Sequence, residues 1–177
     1  YRFAADEIRE TTVVLNGDIL TDIDIEALLE YHRSKGSAAT LVLAPVEDPS
    51  RYGLVETGES GEILQFLEKP KPEDLAELGV NTINAGIYIL EPSILDLIKM
   101  GENHSFEYEV FPKILEKKMP FYAYIMTGEY WRDIGTPASY LEAHHDFLDG
   151  TTKGFDIDRA GKSDIAPSAL IDAAPVI

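Results

Sequence analysis

The chain has 177 residues, with 15 Lys and Arg against 32 Asp and Glu, a formal charge of −17, and 45% hydrophobic residues. That size and apolar share suffice for one domain with a real core. A uniformly acidic globule repels phosphate backbones and anionic lipid, which excludes nucleic acid and membrane surfaces as expected partners. Cysteine is absent, which removes disulfides, thiolate nucleophiles and Cys-based zinc sites together. No apolar run approaches the roughly 20 residues of a spanning helix. Residues 1–10 are charged rather than basic-then-apolar, so a cytoplasmic protein is expected.

Residues 11–15, Thr-Thr-Val-Val-Leu, form a β-branched run that stops at Asn16-Gly17-Asp18, a buried strand delivering a carboxylate to a sheet edge. Ile25, Leu28, Leu29 and His32 then recur at helical spacing, with Asp22 or Asp24 as cap and Gly36 as terminator. Residues 38–46 are a second apolar strand, and the order strand, helix, strand predicts a parallel pair joined by a crossover. Residues 53–57 and 62–68 read as a hairpin through Gly58 and Gly61, and residues 70–79 as a loop with a short helix. Further on, residues 84–90 read as a strand, 92–100 as a helix and 108–118 as a helix whose start Pro112 limits. Residues 121–126 and 131–134 read as strands, and 137–148 as a helix opened by Pro137. After Gly150 the texture changes, and Ile165, Ile171 and Ile177 fall six apart, the apolar repeat of a left-handed parallel β-helix, although spacing alone fits an irregular tail as well. The chain thus divides into a domain over 1–150 and a linker with a first β-helix coil over 151–177.

Two carboxylates stand where an α/β sheet places ligands: Asp18, just past a strand end after Gly17, and Asp133, between Trp131-Arg132 and Ile134-Gly135-Thr136-Pro137. If folding brings them together they form a hard-oxygen site for Mg²⁺ with positions left for phosphate. Each alone is equally an Asp that hydrogen-bonds its own turn. Glu68-Lys69-Pro70 sets a carboxylate beside an ammonium at a strand end, where Lys69 can neutralise a transferring phosphate and Glu68 accept from sugar hydroxyls; an exposed charged turn is the plain alternative. Other motifs mislead. Asp22-Ile23-Asp24 spells the D-x-D of metal-dependent glycosyltransferases but lies where a helix needs capping. His144 and His145 are adjacent on a helix and point about 100° apart, and His32 reads as a packed histidine. No Gly-x-Gly-x-x-Gly, Walker loop, Gly-x-Ser-x-Gly or His-Glu-x-x-His occurs.

Six motifs follow one another in a specific order. They are Leu-Asn-Gly-Asp at 15–18, Tyr-Gly-Leu-Val-Glu at 52–56, Phe-Leu-Glu-Lys-Pro at 66–70, Asn-Ala-Gly-Ile-Tyr at 84–88, Ser-Phe-Glu-Tyr-Glu-Val-Phe-Pro at 105–112 and Tyr-Trp-Arg-Asp-Ile-Gly-Thr-Pro at 130–137. This series resembles the sugar-1-phosphate nucleotidyltransferases, which include mannose-1-phosphate guanylyltransferase and the glucose-1-phosphate thymidylyl- and uridylyltransferases. The resemblance covers residues 11–149. It implies the C-terminal part of a Rossmann-like nucleotide-diphospho-sugar transferase fold, α/β with a mixed sheet, and it fits the β-helix reading of the tail. Position by position, it implies Mg²⁺ carboxylates at Asp18 and Asp133, a sugar-phosphate lysine at Lys69 and a sugar-hydroxyl acid at Glu68. It also implies backbone contact at Gly53, a sugar-side polar contact at Asn84, and closure of the sugar pocket by Glu107 or Glu109, with Glu109 the choice adopted. The implied reaction joins a sugar-1-phosphate to a nucleoside triphosphate, giving GDP-mannose or UDP- or dTDP-glucose and pyrophosphate, with GTP and mannose preferred.

The resemblance also has a gap. The family opens with a Gly-rich loop of the form G-G-x-G-T-R-L-x-P, which is absent here, so the chain reads as a fragment that is inactive alone. The expectation is a homo-oligomer, or a complex with the missing N-terminal segment over its exposed sheet surface. A noncatalytic regulatory or binding subunit of the same fold, and a glycosyltransferase using Asp22 and Asp24, are the competing readings.

Overall fold

The computed structural model describes residues 1–46, 54–67 and 81–154. The expected loop and helix at 70–79, the β-helix coil at 151–177 beyond Gly154, and Gly53, Glu68 and Lys69 lie outside the described residues.

A six-stranded mixed sheet is built from β1 (Thr12–Leu15), β3 (Ala39–Pro45), β4 (Leu54–Thr57), β5 (Ile63–Leu67), β6 (Thr82–Leu90) and β7 (Phe121–Ile125). β2 (Ile19–Thr21) and β8 (Trp131–Asp133) form a separate two-stranded antiparallel ribbon. The main sheet runs β5-β4-β6-β3-β7, and β1 shares with β4 the edge of β6 that β3 leaves open. The expected hairpin is β4 and β5, paired antiparallel.

The expectation of a hydrogen-bonded parallel pair over residues 11–15 and 38–46 is corrected. β1 and β3 do point the same way, but β6 lies between them and is antiparallel to both. β3 pairs in parallel with β7 instead. The reason lies in apolar length. β6 has nine residues, and Ala85 through Leu90 are all buried, so it occupies the middle, where both faces of a strand are covered.

Alternation along the central strands divides the core in two. Leu41, Leu43, Tyr88 and Leu90 face one side, against Ile94, Phe111 and Ile114. Val42, Ala44, Ile87 and Ile89 face the other, against Leu28, as the two-residue period of a strand requires. The helix α1 (Ile25–Ser34) covers the second face; Asp24 caps it, accepting from Glu26 N at 2.9 Å and Ala27 N at 3.0 Å, worth about 1 kcal/mol. The first face is covered by a 3₁₀ segment, Pro92–Leu97, shorter than the expected helix, and by a helix that begins earlier than expected. That helix opens at Phe106–Val110 with one π-type turn, continues as α2 (Phe111–Glu116), and is capped by Ser105. Pro112 does not delay its start: it falls in the first turn of α2, just after the π-type turn, where a missing amide hydrogen is tolerated.

The last helix, α3 (Pro137–Asp149), starts from the Thr136 cap and ends at Gly150, whose φ of 76° suits glycine at a helix C-terminus. Among the described residues no helix is long and apolar enough to cross a membrane.

Candidate active site

Asp18 and Asp133 come together because the ribbon places them at one end. Ile19 pairs with Asp133, and the Ile134 amide donates to the Asp18 carbonyl at 2.9 Å. Both carboxylates converge on Gly135. A β-carbon on that glycine would stand 2.9 Å from Asp133 Oδ1 and 3.9 Å from Asp18 Oδ2. The Gly135 amide donates to Asp133 Oδ1 at 2.7 Å, so this Asp does bond its own turn, and the turn aims the carboxylate. Among the described residues no group of three or more His, Asp or Glu stands close enough to hold a metal alone. A pair of convergent hard oxygens fits a cation that keeps other positions for water or phosphate, as Mg²⁺ does.

Beside this pair lies a break in the central sheet. Leu41 pairs with Tyr88 and Leu43 with Asn84, so β6 carries two extra residues there, and such bulges re-aim backbone next to functional sites. Gly86 sits in the break with φ of 71°, and a β-carbon on it would come within 2.7 Å of Asn16 Nδ2. The Asn16 amide donates to the Gly86 carbonyl at 2.9 Å. The Trp131 indole donates to the Ala85 carbonyl at 2.8 Å. The Asn-Gly-Asp loop, the break and the ribbon are therefore fastened together.

Asn84 is half-buried in this region. Its Oδ1 accepts from Gly86 N at 2.9 Å and its Nδ2 donates to Tyr88 Oη at 3.1 Å. The Tyr88 hydroxyl donates in turn to Glu107 Oε1 at 3.2 Å and is also hydrogen-bonded by the Asn16 side chain. Burial, with the Glu107 carboxylate adding to it, raises the Tyr88 pKa well above the usual tyrosine value. Glu107 thus joins Asn84 through Tyr88. Glu109, one turn phase away, accepts from His104 Nδ1 at 2.5 Å, and that hydrogen bond holds its carboxyl below the usual range. Tyr88 and Asn16 join this hydrogen-bond network, and the sequence did not single them out. Their signal was a tyrosine inside the aliphatic run at residues 83–90, and an asparagine beside the aspartate that took the attention.

Asp22, Asp24, His32 and His144 have structural work. Asp24 caps α1. Asp22 Oδ1 accepts from Tyr130 N at 2.6 Å and its Oδ2 from Lys153 N at 2.8 Å. His32 is buried, its Nδ1 2.7 Å from Thr40 Oγ1 and its Nε2 3.1 Å from Glu91 Oε1. His144 Nδ1 lies 2.8 Å from the Tyr140 carbonyl of its own helix.

Comparison with known proteins follows the same lines. The family model described as nucleotidyl transferase matches residues 1–150. The chain is 39% identical over 150 residues to a UTP–glucose-1-phosphate uridylyltransferase of Synechocystis, covering 84% of this chain and 38% of that protein. It is 37% identical over 169 residues to mannose-1-phosphate guanylyltransferase 1 of Arabidopsis thaliana, covering 95% of this chain and 45% of that one. The chain spans less than half the length of either curated relative. Among solved structures, HddC from Yersinia pseudotuberculosis superposes with a TM-score of 0.66 at 27% identity, over 82% of this chain and 60% of that one; it has also been solved with GMP-PN. From its order of motifs, its fold and these matches, the chain belongs to the nucleotidyl transferase family.

Proposed function

We propose that this chain supplies the metal and sugar-phosphate side of a sugar-1-phosphate nucleotidyltransferase. The observation that carries the reading is the convergence of Asp18 and Asp133 over Gly135. In the reaction, an anionic phosphate oxygen of the sugar-1-phosphate attacks the α-phosphorus of a nucleoside triphosphate. A new P–O bond forms, the bond from that phosphorus to the bridging oxygen breaks, and pyrophosphate leaves with the electron pair. No side-chain nucleophile is required, because the attacking oxygen is already ionised at neutral pH.

The obstacle is repulsion between two polyanions in a protein of charge −17. Asp18 and Asp133 are the residues that would hold Mg²⁺, and the bound cation supplies charge neutralisation between the two phosphates. The Gly135 amide orients Asp133 for that task. Lys69 would neutralise the sugar phosphate and Glu68 accept from sugar hydroxyls, with the Gly53 backbone against the sugar. Asn84, fixed by Tyr88 and the break in β6, offers a polar edge to the same sugar. Glu107 shares its network, and Glu109 closes the pocket rim only if it leaves His104. By their names, the relatives act on glucose-1-phosphate with UTP and on mannose-1-phosphate with GTP. Mannose-1-phosphate with GTP is the pair to try first.

The test follows pyrophosphate release by the intact protein with Mg²⁺, each sugar-1-phosphate and each nucleoside triphosphate. The expected result is release with one pairing, reduced at least about a hundredfold by Asp133→Asn. Release that survives this substitution overturns the metal assignment. Binding of the sugar phosphate without release in any combination assigns the chain to the noncatalytic class instead.

A further inference from the structure

Residues on β8 alternate in direction. Trp131 reaches back to the main sheet, Asp133 enters the cation pair, and Arg132, between them, points the other way, to α3. There its Nε lies 2.9 Å from both Asp146 Oδ2 and Tyr130 Oη, its Nη2 2.7 Å from Asp146 Oδ2, and its Nη1 2.6 Å from Glu142 Oε2. Tyr130 Oη donates to the same Asp146 oxygen at 2.7 Å. Glu142 and Asp146 stand four residues apart, so they share one face of α3. The same helix reaches Asp133 directly, through a hydrogen bond from Ser139 Oγ to the Asp133 carbonyl.

These ties matter because of what they hold. β2 and β8 have three residues each and, among the described residues, pair only with one another, and a two-stranded ribbon is marginal in water by itself. Its place must come from outside. Resting on the reading of Asp18 and Asp133 as a cation pair, we propose that Arg132 is a positioning residue for that pair: by binding Asp146, Glu142 and Tyr130 at once, it fixes β8 against α3 and so sets the approach of Asp133 to Asp18. A guanidinium suits this work because its planar fork serves several acceptors in fixed directions. A lysine ammonium offers a single point charge.

The experiment uses the intact protein and Mn²⁺ in place of Mg²⁺, with affinity read from water-proton relaxation. Hydrogen exchange at the Ile134 amide, which bonds Asp18, gives a second readout. R132M keeps the apolar stem and removes every donor. It is expected to weaken Mn²⁺ binding about tenfold, the lower end of what loss of a supporting group costs a metal site. It should also speed Ile134 exchange while the Ile89 amide of the main sheet stays protected. R132K should recover part of the affinity, since a cation again faces the two acids. Y31F removes the remote Tyr31–Ala123 hydrogen bond and should leave Mn²⁺ affinity unchanged. An equal loss in Y31F would make the R132M effect general destabilisation and overturn the inference.

Unchanged affinity in R132M, with affinity lost in D133N, also overturns the inference and leaves the cation reading standing. Unchanged affinity in both removes the cation reading instead. Ile134 exchange then decides alone: wild-type protection in R132M overturns the positioning role, and faster exchange supports it.

Discussion

The Gly135 amide donates to Asp133 Oδ1 at 2.7 Å while the glycine leaves clear the space that Asp133 shares with Asp18. The absence of a side chain at residue 135 is therefore a condition of the proposed cation site. In Gly135→Ala the new methyl would stand 2.9 Å from Asp133 Oδ1, closer than real β-carbons come, so the carboxylate must turn away. Expected outcomes are a loss of about tenfold or more in Mn²⁺ affinity and a stability change within about 1 kcal/mol, as for an exposed turn. Relaxation titration and urea unfolding of the same sample check both.

Asp22 separates two readings of the D-x-D motif. Its oxygens accept from the Tyr130 and Lys153 amides, clamping the far end of the ribbon to the chain leaving α3. Asp22→Ala removes the acceptor of both amides and should cost about 1–3 kcal/mol in urea unfolding. A glycosyltransferase role predicts something else: sugar transfer from a nucleotide sugar that disappears in Asp22→Ala while stability holds.

Much of the fold was legible because its elements announce themselves locally. The hairpin of β4 and β5, the Asp24 cap and the Pro137 start each depend on a few adjacent residues. Partners of the strands were not legible, since β6 takes the centre by out-competing β3 for β1 over a long sequence separation. β2 was missed because three residues between Asp18 and the capping aspartates carry no period of their own. In the candidate site, position at strand ends singled out Asp18 and Asp133 one at a time, while their approach depends on the pairing of β2 with β8, and the directions of Glu107 and Glu109 could not be read from spacing. Both lie within the π-type turn at Phe106–Val110, whose wider winding sets their directions differently from a regular helix.

Tyr88→Phe tests whether the buried hydroxyl joins Asn84 and Glu107. The ring is 1% exposed and packs against Phe106 and Phe111, so phenylalanine keeps the packing and removes only the oxygen. The Asn84 amide then lacks its acceptor, and Glu107 Oε1 loses the tyrosine donor while Oε2 keeps Ser105 Oγ at 2.9 Å. A loss of about 1–2 kcal/mol is expected in urea unfolding. The Asn84 side-chain amide protons should exchange faster with solvent. Unaltered exchange would show that Asn84 does not depend on the tyrosine.

Glu91 gives the protein an acid-sensitive tie between β6 and its neighbours. Partial burial pushes its carboxyl pKa up, but hydrogen bonds from Thr11 at 2.6 Å and His32 at 3.1 Å outweigh that and hold it below the usual glutamate value. Because the folded pKa is the lower one, the unfolded chain binds the proton more readily, and acid favours unfolding. The contribution is fully present above the unfolded value of roughly 4.3 and is lost as pH falls through the folded pKa. Glu91→Gln keeps an acceptor for Thr11 but cannot titrate. The expected outcome is lower stability than wild type at pH 6–7, with the difference shrinking as pH drops below about 4. Urea midpoints of both proteins from pH 3 to 7 check this. Curves that stay parallel across that range would show that the Glu91 charge contributes nothing to the fold.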